Sequence, residues 1–120
     1  MIQRFDIGTR ISEMAVHNGT VYLAGQIAKD ATQDIQGQAR QVLDSIDALL
    51  ARAGSDKSKI LMAQIFLADL EDFDGMNAIW DAWVVPGSAP PRATVLSGMI
   101  KSEWKLEIVV TAAQFFQKDN

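Results

Sequence analysis

Two ionisable side chains near the C-terminal end of the sequence could do chemistry together. Arg92 stands behind two prolines at the start of an apolar run, in Pro90-Pro91-Arg92-Ala93-Thr94-Val95. Glu107 follows fifteen residues later, inside the next apolar run. A guanidinium offers a planar fork of donors that fits a carboxylate better than the point charge of lysine. A neighbouring carboxylate can activate water as a general base or shuttle a proton. If the two runs form a hairpin with its turn near 98–103, residue i opposes residue 199 − i. Arg92 and Glu107 are then direct partners on one face of the sheet. The same spacing suits a structural ion pair, worth about 0–1 kcal/mol when exposed. That is the default reading of spacing alone.

The elements that must hold this pair are legible along the chain. Residues 2–6 suit a short edge strand, broken by Gly8-Thr9. Asn18-Gly19 lies between two strand-like runs, 12–17 and 20–25. Asn-Gly suits a two-residue type I′ turn, because both positions need positive φ. This register sets His17 against Thr20 and Val16 against Val21. His17 is the only histidine, and with no spaced His or Cys partner it reads as a solvated residue beside a turn.

A helix is expected from about 33 to 53, with Ile35, Ala39, Val42, Leu43, Ile46, Leu49 and Leu50 on one face. Asp30 or Thr32 can cap its start, and Gly54 suits the left-handed residue past its end. Residues 60–68 read as a strand apolar on both faces, hence central in a covered sheet. Asp69 can cap a second helix over about 70–83, whose apolar face carries Phe73, Met76, Ile79, Trp80 and Trp83. Strands at 92–98 and 105–114 complete the order β-β-β-α-β-α-β-β in a single domain spanning 1–120, an α+β arrangement with two helices on one face of a mixed sheet. Two helices can cover only one face. A closed homo-oligomer is the simplest cover for the other.

Bulk properties narrow the function. The net charge of −4 argues against nucleic acid as a partner, since phosphate contacts require clustered Lys and Arg. The absence of cysteine removes disulfides, thiolate metal sites and cysteine nucleophiles. No apolar run approaches the roughly 18 residues of a membrane span, and Met1–Asp6 has no apolar signal region. A cytoplasmic protein without membrane contact is expected.

Several segments, in order, resemble the RidA family, also called YjgF or the Rid superfamily. They are Val21-Tyr22-Leu23-Ala24-Gly25-Gln26 before a helix, and Ile65-Phe66-Leu67-Ala68-Asp69 leading to Asp72-Phe73 and Asn77. Ala89-Pro90-Pro91-Arg92-Ala93-Thr94-Val95 and Leu106-Glu107-Ile108 follow. The resemblance implies a chorismate-mutase-like fold assembled as a homotrimer with clefts between subunits. It also implies a cofactor-free activity: hydrolysis of enamines and imines such as 2-aminoacrylate to 2-oxo acids and ammonia. The carboxylate-binding arginine of the family falls on Arg92 and its acidic residue on Glu107. Thr94 stands where cysteine is common, and Ala24 and Gly25 fall in the substrate-binding segment. An imine carbon is electrophilic, so water can attack it without a metal. Orientation of carboxylate and water supplies much of the catalysis.

Two departures bear on substrate. Ala24 replaces a serine common in the family, and the expected tyrosine falls close to Ile11. Loss of two hydroxyls from a pocket changes what it discriminates. A divergent subfamily with altered imine preference is the expectation. The alternative is a non-catalytic binding or regulatory protein that holds 2-oxo acids in the same cleft. RNA cleavage, a third possibility for such chains, is opposed by the acidic balance.

Overall fold

The computed structural model describes residues 1–115. Its strands are β1 (Gln3–Phe5), β2 (Met14–His17), β3 (Thr20–Leu23), β4 (Ile60–Leu67), β5 (Arg92–Leu96) and β6 (Leu106–Ala113). Its helices are α1 (Ile35–Arg52), between β3 and β4, and α2 (Phe73–Trp83), between β4 and β5. One sheet runs β1-β2-β3-β6-β4-β5. All neighbours are antiparallel except β4 and β5.

Turn chemistry sets the first half. Asn18 and Gly19 take φ of 50° and 78°, the left-handed pair that a type I′ turn needs. His17 opposes Thr20 and Val16 opposes Val21, as expected. α1 starts later than expected. Its cap is Asp34, whose carboxylate accepts from the Gly37 amide at 2.8 Å. Asp30 instead closes its own turn, accepting from the amide and hydroxyl of Thr32. Both are short carboxylates bonding a nearby amide, and only Asp34 stands three residues before a free first-turn donor. Gly54, at φ 72°, ends the helix. Asp69 accepts from the Glu71 amide at 2.9 Å and opens the 3-10 turn Leu70–Asp72, which runs into α2.

The second half corrects one expectation. β5 and β6 are not a hairpin; β4 lies between them. β4, α2 and β5 form a parallel crossover unit, and β6 returns antiparallel on the far side of β4. The connection over residues 97–105 already exceeds the two to five residues usual in hairpin loops. It is long enough to pass a strand.

Both helices pack on one face, the α+β arrangement inferred above. Met14, Val16, Val21, Leu23, Ala63, Ile65, Leu67, Leu106, Ile108, Val110 and Ala112 meet Ala39, Val42, Leu43, Ile46, Leu50, Met76 and Trp80 in one core. Alternation sends the remaining strand residues to the open face. There Tyr22, Met62 and Val95 are exposed, with Phe66 and Val109 half-buried. Leu61, at the irregularity between Ile60 and Met62, is also exposed.

A polar side chain is sealed against the core. The Gln38 side chain is fully buried. Its amide nitrogen donates to the carbonyls of Ala31, Gln33 and Glu103, and its oxygen accepts from the Lys105 amide at 2.9 Å. It thereby ties the loop before α1 to the start of β6.

Candidate functional site

Arg92 opens β5 beside Ala63 of β4. The carbonyl of Pro91 accepts from the Ala63 amide at 3.0 Å, so the double proline is joined to the sheet edge. Paired parallel residues share a face, and Ala63 is buried under the helices. The Arg92 side chain follows it: its guanidinium carbon lies 5.2 Å from the Trp80 ring centroid on α2. Such stacking favours a cation by about 0.5–1 kcal/mol at exposed sites and more where water is excluded. Arg92 forms no ion pair with a carboxylate among the described residues, where Arg52 with Asp6 is the recorded pair. Its donor edge is therefore open to an anion.

Two further polar atoms belong to this side. Thr94 follows Arg92 on the same face, beside Ile65. Its Oγ1 is buried without a hydrogen-bond partner. Asn77 stands on α2 between Phe73, four residues earlier, and Trp80, three later, on the face turned to the sheet. Its Oδ1 is likewise buried and unpartnered. Such atoms each cost about 1–3 kcal/mol when left unsatisfied, and with the unpaired guanidinium they give the helix side of the sheet unmet hydrogen-bonding capacity for a polar ligand. An amide among the apolar residues of this helix face is the signal that the sequence carries at Asn77.

Glu107 lies elsewhere. It pairs with Phe66 of β4 and, through it, with the row of Val95 on β5. Its neighbours Leu106 and Ile108 are buried under the helices, so Glu107 projects from the open face. Arg92 lies in the row of Ala63, three positions along β4 from Phe66. An odd offset reverses the face. The two side chains are thus on opposite faces, about 10 Å apart along the strands and about 10 Å across them. The expectation that they are direct partners on one face is overturned by the intervening β4.

Glu107 has a different neighbour. After β3 the chain passes through Ala24, Gly25 and Gln26, and Gln26 bridges to Ile108 through two backbone bonds, of 2.8 and 3.1 Å. That bridge lays Gly25 against Glu107. A Cβ on Gly25 would overlap Glu107 Oε2 and stand 2.8 Å from its carboxyl carbon. A side chain at position 25 would displace the end of the Glu107 side chain. The Gln26 side chain fixes the segment by donating to the Ala24 carbonyl at 2.9 Å and Glu13 Oε1 at 3.2 Å. The Ala24 amide donates to the Glu13 carbonyl at 2.9 Å.

The candidate residues therefore fall into two groups on opposite faces of the sheet, each a candidate half-site. Arg92 and Thr94 share the helix side with Asn77; Ala24, Gly25 and Glu107 meet at the open side. Ile11 is exposed in the loop between β1 and β2. Tyr22 shares the open face with Glu107 but lies beside Thr111, four residues along β6, so it does not supply the missing hydroxyl. Among the described residues no group of three or more His, Cys, Asp or Glu could hold a metal ion, and no helix is long and apolar enough to cross a membrane.

Comparison with known proteins covers both half-sites. The family model Endoribonuclease L-PSP matches residues 1–114. A RutC family protein of Haemophilus ducreyi is 48% identical over 113 residues, spanning 94% of this chain and 97% of that protein. The RutC family protein YoaB of Escherichia coli is 46% identical over 112 residues, spanning 93% and 97%. The crystal structure of a YjgF family member from Neisseria meningitidis matches with a TM-score of 0.94 at 38% identity, covering 98% of each chain.

Proposed function

The chain belongs to the Endoribonuclease L-PSP family, the family of YjgF and RutC proteins, and from its two half-sites we propose that it hydrolyses 2-imino acids to 2-oxo acids and ammonia. The observation that carries this reading is the Arg92 guanidinium, stacked on Trp80 and free of any carboxylate partner among the described residues, beside the unpaired oxygens of Thr94 and Asn77. An arginine fork fits the substrate carboxylate.

The open-face apolar residues supply the assembly. A protomer that leaves Tyr22, Met62 and Val95 exposed gains by burying them against copies of itself. A closed homotrimer does so in a ring of like contacts. In that arrangement the helix-side half of one subunit meets the open-side half of its neighbour, and the cleft between them holds both Arg92 and a partner Glu107. The working compartment in this proposal is the cytoplasm.

The chemistry follows. Glu107 accepts a proton from water while the water oxygen bonds to the imine carbon. The imine nitrogen takes up a proton from solvent, giving a carbinolamine. The Glu107 proton then passes to that nitrogen, the C–N bond breaks, and ammonia leaves as the hydroxyl returns its proton to solvent and becomes the carbonyl. Enamines such as 2-aminoacrylate join this path after protonation at carbon. Water is consumed, the carboxylate is regenerated, and no redox step occurs. The chain supplies orientation and charge.

A second reading has its own support. Ala24 and Ile11 bring no hydroxyl to the cleft, and a site without them suits reversible 2-oxo acid binding. The endoribonuclease of the family name sits poorly with a net charge of −4. Imines generated in situ by an amino-acid oxidase separate the first two. Faster release of 2-oxo acid and ammonia, abolished in a folded Arg92→Ala variant, supports catalysis. Saturable 2-oxo acid binding without such acceleration supports the binding role.

A further inference from the structure

Beside Thr94 a cavity of about 200 Å³ is bounded by Leu67, Leu70, Phe73, Thr94, Val95 and Leu96. Leu67 is fully buried, whereas Leu70 and Leu96 are 66% and 57% exposed. The residue types make the wall aliphatic and aromatic. The Thr94 hydroxyl is the lone side-chain hydrogen-bonding group among them, and its oxygen is buried without a partner. Arg92 stands two residues before Thr94 on the same face of β5, about 7 Å along the strand.

This geometry points to a direction for the ligand. A 2-imino or 2-oxo acid with its carboxylate on Arg92 carries its polar 2-position toward Thr94. Its side chain then continues among Leu67, Leu70, Phe73 and Leu96. We propose that this cavity is the side-chain subsite of the Arg92 site and selects acids with a branched aliphatic side chain of isobutyl size. The inference rests on the Arg92 reading above and adds the substrate class to it. A methyl or methylene group, as in pyruvate or 2-aminoacrylate, leaves most of the cavity wall without contacts. A charged side chain finds no counter-charge among the lining residues, so burial there is unfavourable.

The test compares 4-methyl-2-oxopentanoate with pyruvate by calorimetric titration of the full chain. The imines derived from leucine and alanine are compared by kcat/KM. The branched acid is expected to bind at least about tenfold tighter, and its imine to react at least about tenfold faster, the discrimination that a few buried methylenes give. Leu70→Trp and Leu96→Trp, at exposed positions that tolerate bulk, each fill the mouth of the cavity. Either is expected to cut the branched-to-methyl ratio by about fivefold or more, with folding checked by circular dichroism. Equal affinities for the two acids, with pyruvate binding still lost in Arg92→Ala, overturn the subsite and leave the anion site standing. Binding of neither acid, with no imine turnover, overturns the Arg92 reading and the subsite with it.

Discussion

Arg92 and Glu107 stand on opposite faces of one sheet, separated by β4 and by three residue positions along it. Neither can reach a small ligand held by the other within the same protomer. Each has different neighbours: Trp80 against Arg92, with Thr94 two residues along the same face of β5, and Gly25 beside Glu107. The arrangement makes assembly a condition of the proposed activity.

Gly25 tests the open-side half. A methyl group at this position overlaps the Glu107 carboxylate. Gly25→Ala is expected to push that carboxylate aside. Misplacement of a catalytic group by about 1 Å lowers turnover roughly 10²-fold. Imine turnover should fall by that order with little change in thermal midpoint, because Gly25 is outside the strands and has ordinary φ. Unchanged turnover would remove Glu107 from the chemistry.

Thr94 separates binding from stability. Its buried hydroxyl oxygen has no partner in the protomer. Thr94→Val keeps the shape and deletes the unsatisfied group. Denaturant unfolding should show a neutral effect or a gain of about 1 kcal/mol, while 2-oxo acid affinity falls. A variant that is destabilised and binds normally would show the hydroxyl serving the fold.

Gln38 tests the internal clasp. Gln38→Leu deletes the side-chain partners of three carbonyls and of the Lys105 amide. Leaving such groups unsatisfied costs about 1–3 kcal/mol each where water stays excluded. A loss of about 2–4 kcal/mol in urea unfolding is expected. Hydrogen exchange should rise in the loop before α1 and at the start of β6, two residues before Glu107.

The edge of the sheet carries a pH response. Arg52 binds Asp6 through two bonds of 2.7 and 3.0 Å. The hydrogen bond from Arg52 holds the Asp6 carboxyl below its ordinary value of 3.8, with the guanidinium charge adding to the effect. A carboxyl with lowered folded pKa stabilises above its unfolded value and loses that contribution as pH falls through the folded one. Asp6→Asn should therefore be less stable than wild type at pH 6, by a small margin for so exposed a pair. The difference should shrink as pH falls below 3.8 and through the lowered folded value. A difference that persists in acid would show the pair acting through packing alone.

Local structure was legible in the sequence wherever one short-range rule governed it. Asn18-Gly19 specified the hairpin and its register, and helical spacing located α1 and α2. The start of α1 was misplaced: Asp30 or Thr32 was the expected cap, but both are engaged in the preceding turn and Asp34 caps the helix. The neighbours of β5 and β6 were not legible. Alternation along a strand reports which residues share a face, and it is silent on which strand lies alongside. The length of the 97–105 connection was the available cue. The face of Arg92 depended on that neighbour, so the pairing with Glu107 failed while both residues kept their candidate roles. The shared face of Arg92 and Thr94 toward the helices needed the parallel pairing of β5 with β4, and the contact of Arg92 with Trp80 needed the docking of α2, which are tertiary facts.

The central claim is a cleft made by Arg92 of one subunit and Glu107 of another, and mixing two inactive variants tests it most directly. Arg92→Ala and Glu107→Gln chains are purified separately, then combined under conditions that exchange subunits. Each alone is expected to lack imine turnover. In a closed homotrimer mixed at equal amounts, random assortment gives each mixed ring one cleft that pairs an intact Arg92 with an intact Glu107, about a quarter of all clefts. Recovery of activity toward that fraction is the expected result. Mixed trimers, verified by mass, that stay as inactive as their parents would contradict the shared cleft.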